Sequence, residues 1–135
     1  ETMAYPLKSA ECAGPSDGGC AVLLACEEAA RDLTDTPVWI RGLGWSADST
    51  WLGDRDLLAG SLPAAARMAY EKAGISEPSR EIDVAEVCEP TAFQEILGCE
   101  QLGLCPEGTG GRFVEEGAAT GSPRAPAASR SRSRS

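Results

Sequence analysis

The sequence predicts an α/β fold, on three observations. Short apolar stretches stand at Cys20–Ala25, Val38–Arg41 and Ile82–Val87. Helix-period stretches with capping residues alternate with them, the order expected of strands and helices in layers. The first stretch, Cys20-Ala-Val-Leu-Leu-Ala25, lacks the polar alternation of a half-solvated strand and reads as one covered on both faces. So few helices cannot cover both faces of such strands. The pattern therefore predicts a part of a larger layered fold.

The elements follow in chain order. Ser16-Asp17-Gly18-Gly19 is a turn signal that feeds the first strand. Glu27–Leu33 has helical character and is stopped by Thr34-Asp35-Thr36-Pro37. Val38–Arg41 reads as the second strand, ended by Gly42-Leu43-Gly44, and residues 45–60 read as an irregular acidic connection. Ser61 is placed as an N-cap, Pro63 in the first helical turn and Gly74 just past the end. Between them Leu62, Ala65, Ala66, Ala69 and Ala73 form a small-residue stripe that lets a helix lie close on a neighbour. After the Glu77-Pro78-Ser79 break, Ile82–Val87 reads as the third strand. Thr91 and Gln94 form a capping-box pair opening a helix that runs to Leu102, with Gly103 as its stop. Gly108-Thr-Gly-Gly-Arg-Phe113 reads as a solvent loop without the Lys-Ser/Thr of a phosphate-binding loop. Gly42-x-Gly44 lacks the third glycine of a dinucleotide loop.

Charge and composition narrow the function. The net charge is -9, but residues 122–135 carry four arginines and no acid, which leaves -13 on the 121 residues before them. A body so acidic repels a nucleic-acid backbone, so no nucleic-acid partner is expected. No apolar run approaches the roughly 20 residues of a membrane helix, and no secretory signal is read. The six cysteines (Cys12, Cys20, Cys26, Cys88, Cys99, Cys105) include no CxxC pair, and the chain has no histidine. Reduced thiols in a cytoplasmic protein are expected, with Cys20 and Cys26 as small buried hydrophobes, no metal site and no bound cofactor. Without histidine, a Ser-His-Asp or Cys-His nucleophile cannot be assembled from this chain alone.

One cluster carries candidate chemistry. Glu86-Val87-Cys88-Glu89-Pro90-Thr91 lies where a strand ends and a helix begins, the place where open α/β sheets put reactive groups. Cys88 is a candidate thiolate and Glu89 a candidate base or orienting carboxylate. The same residues also read as a buried structural thiol and a helix-start acid.

The order of segments resembles the thiolase superfamily. Ser16–Ala25 followed by Pro37–Gly42 is similar to the strand pair closing the N-terminal half of a thiolase. Ala64–Ile75 resembles the first helix of the second half, and Ile82–Val87 the strand after it. Gln94–Leu97, Gln101–Leu104 and Gly108–Gly117 are closest to sterol-carrier-protein-type thiolases and their bacterial relatives. The likeness covers roughly residues 5–120. It implies a partial thiolase fold, layered α-β-α-β-α and truncated. Residues 1–45 would end the N-terminal half, 46–60 connect, 61–121 start the C-terminal half, and 122–135 form a disordered Arg-Ser tail.

The resemblance also implies an activity: acyl transfer at a CoA thioester, making or breaking a carbon-carbon bond in lipid metabolism. Acyl-CoA would be the substrate. In that family one cysteine takes the acyl group, a Gly-His-Pro histidine activates it, and a Cys-x-Gly cysteine moves the proton. None of those three segments is present, so the chain alone is expected to be inactive. The active-site loop that remains is the one after Val87, where relatives read His-Asp-Cys-Phe or Asn-Glu-Ala-Phe. The His or Asn position falls on Cys88 and the acidic neighbour on Glu89, while Pro90 and Thr91 depart from the pattern. A thiol is a poorer donor than imidazole or amide for holding an oxyanion-polarising water. The start at Glu1-Thr2-Met3 and the abrupt change at Ser122 lead to the expectation of an incomplete or frame-shifted product. A homo- or hetero-oligomer with a thiolase-fold or OB-fold partner is expected. The alternative function is a noncatalytic scaffold pairing with a catalytic homologue.

Overall fold

The computed structural model describes residues 1–56 and 60–117. The predicted Arg-Ser tail, 122–135, lies outside the described residues. The chain opens with a small hairpin of β1 (Thr2–Ala4) and β2 (Leu7–Lys8), paired antiparallel with Thr2 opposite Lys8, and a 3-10 turn over Ser9–Glu11. Five helices follow among the described residues: α1 (Glu27–Leu33), α2 (Leu62–Ala73), α3 (Pro78–Glu81), α4 (Ala92–Gln101) and α5 (Gly110–Glu115). A second 3-10 turn covers Leu52–Asp54. No helix among the described residues is long and apolar enough to cross a membrane.

Helices α2, α4 and α5 make the packed part, with α4 against both others. The residues under this packing are small: Ala66, Gly98, Cys99, Cys105 and Gly110 are buried. The predicted helix stops hold. Gly74 is left-handed, at φ 72°, its N–H reaching the Glu71 carbonyl while Ile75 N–H reaches that of Tyr70. Gly103 repeats the arrangement at φ 69°, with its own N–H on Glu100 and that of Leu104 on Cys99. Both are Schellman closures, in which a residue without Cβ turns the chain and satisfies orphan carbonyls. At the starts, Thr91 Oγ1 accepts from Gln94 N at 3.3 Å, as its N-cap position predicts. Ser61 makes no side-chain cap: its φ/ψ of -87°/-19° is already helical, so the hydroxyl is not aimed at the first turn.

Three corrections concern the strands and glycines. Residues 20–25, 38–41 and 82–87 hold no strand pairing. Most of their side chains stand in solvent: Val22, Leu23 and Leu24 are 79, 83 and 74% exposed, Val38, Ile40 and Val84 are exposed too, and only Ile82 and Val87 are half-buried. A ladder needs a neighbour on at least one edge, and nothing in the described chain supplies one. Cys20 and Cys26 go with them, exposed rather than buried. Gly110 onward is the helix α5 instead of a solvent loop. The Glu100 carboxylate accepts from Gly110 N at 2.7 Å and fixes where that helix begins.

The small-residue stripe of α2 does have a close neighbour, the segment Arg41–Gly44. Arg41 donates to the Ala73 carbonyl at 2.8 Å, and Lys72 Nζ donates to the Leu43 carbonyl at 3.0 Å. A Cβ on Gly44 would run into the Ala65 carbonyl oxygen and sit 2.9 Å from the Ala69 nitrogen. One on Gly42 would run into the Ala69 carbonyl oxygen and sit 3.1 Å from the Ala73 Cβ. These two glycines serve close backbone approach, not phosphate binding.

Two carboxylates hold turns and set an acid limit. Glu81 takes the backbone N–H of Glu77 and of Ser76, which hold it below the usual glutamate value of 4.5. The N–H groups of Gly108 and Gly110 do the same for Glu100. A lowered native pKa favours the folded state fully above the unfolded value. That contribution is lost as pH falls through the native value. Denaturation midpoints measured from neutral pH downward are expected to drop below the ordinary glutamate range, with Glu100→Gln flattening the drop.

Candidate functional site

The site is the loop from Val87 to Pro90, between the third apolar segment and α4. Val87 is half-buried at its near end, and Thr91 is half-buried at its far end. Pro90 restricts the backbone just ahead of the helix. Thr91 then does two things. Its hydroxyl caps α4 and donates to Gln94 Oε1 at 3.1 Å. Its backbone forms an isolated antiparallel bridge with Cys12, beside a hydrogen bond from Ala13 N to the Pro90 carbonyl at 2.9 Å.

Between these anchors Cys88 and Glu89 are both exposed. The alternative of a buried structural thiol at Cys88 therefore does not hold. Among the described residues neither side chain makes a hydrogen bond or an ion pair. The arrangement offers a weak thiol donor and a free carboxylate side by side in solvent. It holds no imidazole, since the chain has none. No group of three His, Cys, Asp or Glu side chains among the described residues could hold a metal ion.

The other thiols divide sharply. Cys99 and Cys105 are buried, and burial pushes both thiols up, with mutual charge adding to the rise at Cys99. The thiolate is the reacting form, so such groups are slow. Cys20, Cys26 and Cys88 are exposed and Cys12 is intermediate. Titration of the native chain with a thiol reagent is expected to label Cys88, Cys20 and Cys26 quickly. Cys99 and Cys105 should wait for denaturant, as peptide mapping of the labelled chain will read.

A separate open groove of about 310 Å³ runs between α2 and the end of α4, with Ala66, Tyr70, Ile75 and Leu102 among its walls. Tyr70 lies across it, its hydroxyl donating to the Leu102 carbonyl at 2.9 Å, and burial pushes its pKa up. Cys88 and Glu89 are not part of this groove.

Sequence reasoning located the loop and the capped helix but missed the bridge from Cys12. Partners so far apart in sequence leave no local signal. It also missed the Glu100 clamp, which an acid shortly before a glycine pair hints at only weakly.

The family described as "Thiolase C-terminal domain-like" matches residues 45–129. An acetyl-CoA acetyltransferase of Methanothermobacter thermautotrophicus is 34% identical over 117 residues, covering 85% of this chain and 30% of the relative. The benzoylsuccinyl-CoA thiolase subunit BbsB of Thauera aromatica is 30% identical over 120 residues, covering 87% of this chain and 31% of the relative. Sterol carrier protein 2 of Bos taurus is 51% identical over 53 residues, 39% of this chain and 9% of the relative. The chain thus spans about a third or less of the curated relatives it matches. With the family model matching most of its length, the chain belongs to the thiolase superfamily.

Proposed function

We propose that this chain is one section of a layered thiolase fold, the end of the N-terminal half and the start of the C-terminal half. It contributes to acyl transfer at a CoA thioester only together with segments it does not carry. The observation that carries this reading is the Cys88–Glu89 loop, presented in solvent ahead of the Thr91-capped α4. The names of the relatives, an acetyl-CoA acetyltransferase and a benzoylsuccinyl-CoA thiolase subunit, support the substrate class.

The chemistry explains why the loop is insufficient. Joining two acyl units requires a thiolate to accept the first, a base to take a proton beside the carbonyl of the second, and donors for the developing oxyanion. The loop supplies a carboxylate at Glu89 and a weak donor at Cys88. It supplies neither an activated nucleophile nor an imidazole.

Surface area supports the need for further segments. The chain exposes 11764 Å², whereas a compact monomer of its mass exposes roughly 6,700 Å². Granting the undescribed residues all the surface of an extended chain, roughly 3,000 Å², leaves the rest well above a compact value. The same exposed apolar segments favour a second reading, a scaffold that pairs with a catalytic homologue.

Incubation of the purified chain with acetyl-CoA tests the first reading. Two acetyl-CoA give acetoacetyl-CoA and one free CoA, and the free thiol reports turnover. The expected result is none above the enzyme-free rate. Turnover by the isolated chain contradicts the proposal.

A further inference from the structure

We propose that the N-terminal arm is a strap that positions the Cys88–Glu89 loop, with Cys12 and Ala13 as its positioning residues. The inference rests on the reading of that loop as the functional one.

The strap starts from local order in the arm itself. Ser9 N–H reaches the Glu1 carbonyl at 3.0 Å, and the Lys8 N–H reaches Glu11 Oε2 at 2.8 Å. Cys12 N–H reaches the Ser9 carbonyl at 3.4 Å, and its Sγ the Lys8 carbonyl at 3.6 Å. These bonds tie the hairpin, the 3-10 turn and Cys12 into one module. The module then meets the loop at one place. Cys12 bridges Thr91, and the Ala13 N–H donates to Pro90.

The contact falls where it has most leverage. Pro90 directly follows Glu89, and Thr91 is the residue from which α4 starts. The helix cap fixes the direction of the backbone after Thr91. The strap fixes the backbone at Pro90 and so limits the swing of the two residues before it. Without the strap, the loop is held from the helix side alone, and Cys88 and Glu89 move as a tether does.

A spin label on Cys88 reads this directly, in the full chain with Cys12, Cys20 and Cys26 replaced by serine, which leaves the backbone bridge of residue 12 in place. Ala13→Pro removes the one N–H that donates to Pro90, while Ala13→Gly keeps it. The label should tumble at least about twofold faster in Ala13→Pro than in the parent, and Ala13→Gly should restore the parent spectrum. Helix signal at 222 nm shows whether the fold survives. If Ala13→Pro does not fold, a chain lacking residues 1–13, and with them both contacts to Pro90 and Thr91, carries the same comparison. Equal label mobility with and without the strap overturns the proposal. The readout needs no substrate, so its failure is separate from failure of the acyl-transfer reading.

Discussion

Gly44→Ala is expected to cost about 3 kcal/mol and to strip the Arg41–Gly44 segment from α2. The added Cβ has no room: it runs into the backbone of Ala65 and sits 2.9 Å from the Ala69 nitrogen. Backbone cannot turn aside as a side-chain tip can, so the whole segment must lift. Lifting it breaks the Arg41 bond to Ala73 and the Lys72 bond to Leu43. Gly53→Ala is the control, because a Cβ there meets nothing within 4 Å. It should change stability by less than about 0.5 kcal/mol. Chemical denaturation followed by helix signal measures both. Equal costs at the two positions would mean that segment and helix are not in contact.

Gly110→Ala should be comparably severe, about 2–3 kcal/mol, and its neighbour should move the other way. A Cβ on Gly110 would sit 2.6 Å from the Ile96 carbonyl oxygen and 2.8 Å from the Glu100 carboxylate. It would push α5 off α4 and break the bond from the Gly110 N–H to Glu100. Gly111 faces open space in the same helix. Gly111→Ala therefore adds only helix propensity, a gain of up to about 1 kcal/mol. Opposite signs at adjacent glycines are the expected result, measured as shifts in the denaturation midpoint. A loss at both would place the packing of α5 elsewhere.

Local signals were the ones legible in the sequence. Gly74 and Gly103 each stop a helix at a left-handed residue, and Thr91 caps α4, because each depends on partners within a turn of the chain. The alanine stripe of α2 announced a close neighbour, but not that Gly42 and Gly44 would provide it. Strand pairing was not legible in the same way. Residues 20–25 have the composition of a buried strand, yet composition cannot supply the neighbouring strand. The candidate loop was found from its place ahead of α4, while the bridge that holds it depends on Cys12, distant in sequence. The placement of Gly110 failed for a related reason. A glycine-rich run reads as loop until the acid that clamps its amides, Glu100, is seen beside it.

This chain is proposed to work as a section of a longer thiolase. The most direct test is the intact mass of the polypeptide made from its native gene. Relatives of which the chain spans 30% predict a product of roughly three times 14.0 kDa. That product should also carry a nucleophilic cysteine and a Gly-His-Pro segment. A native product of 14.0 kDa that melts cooperatively as a monomer would contradict the claim.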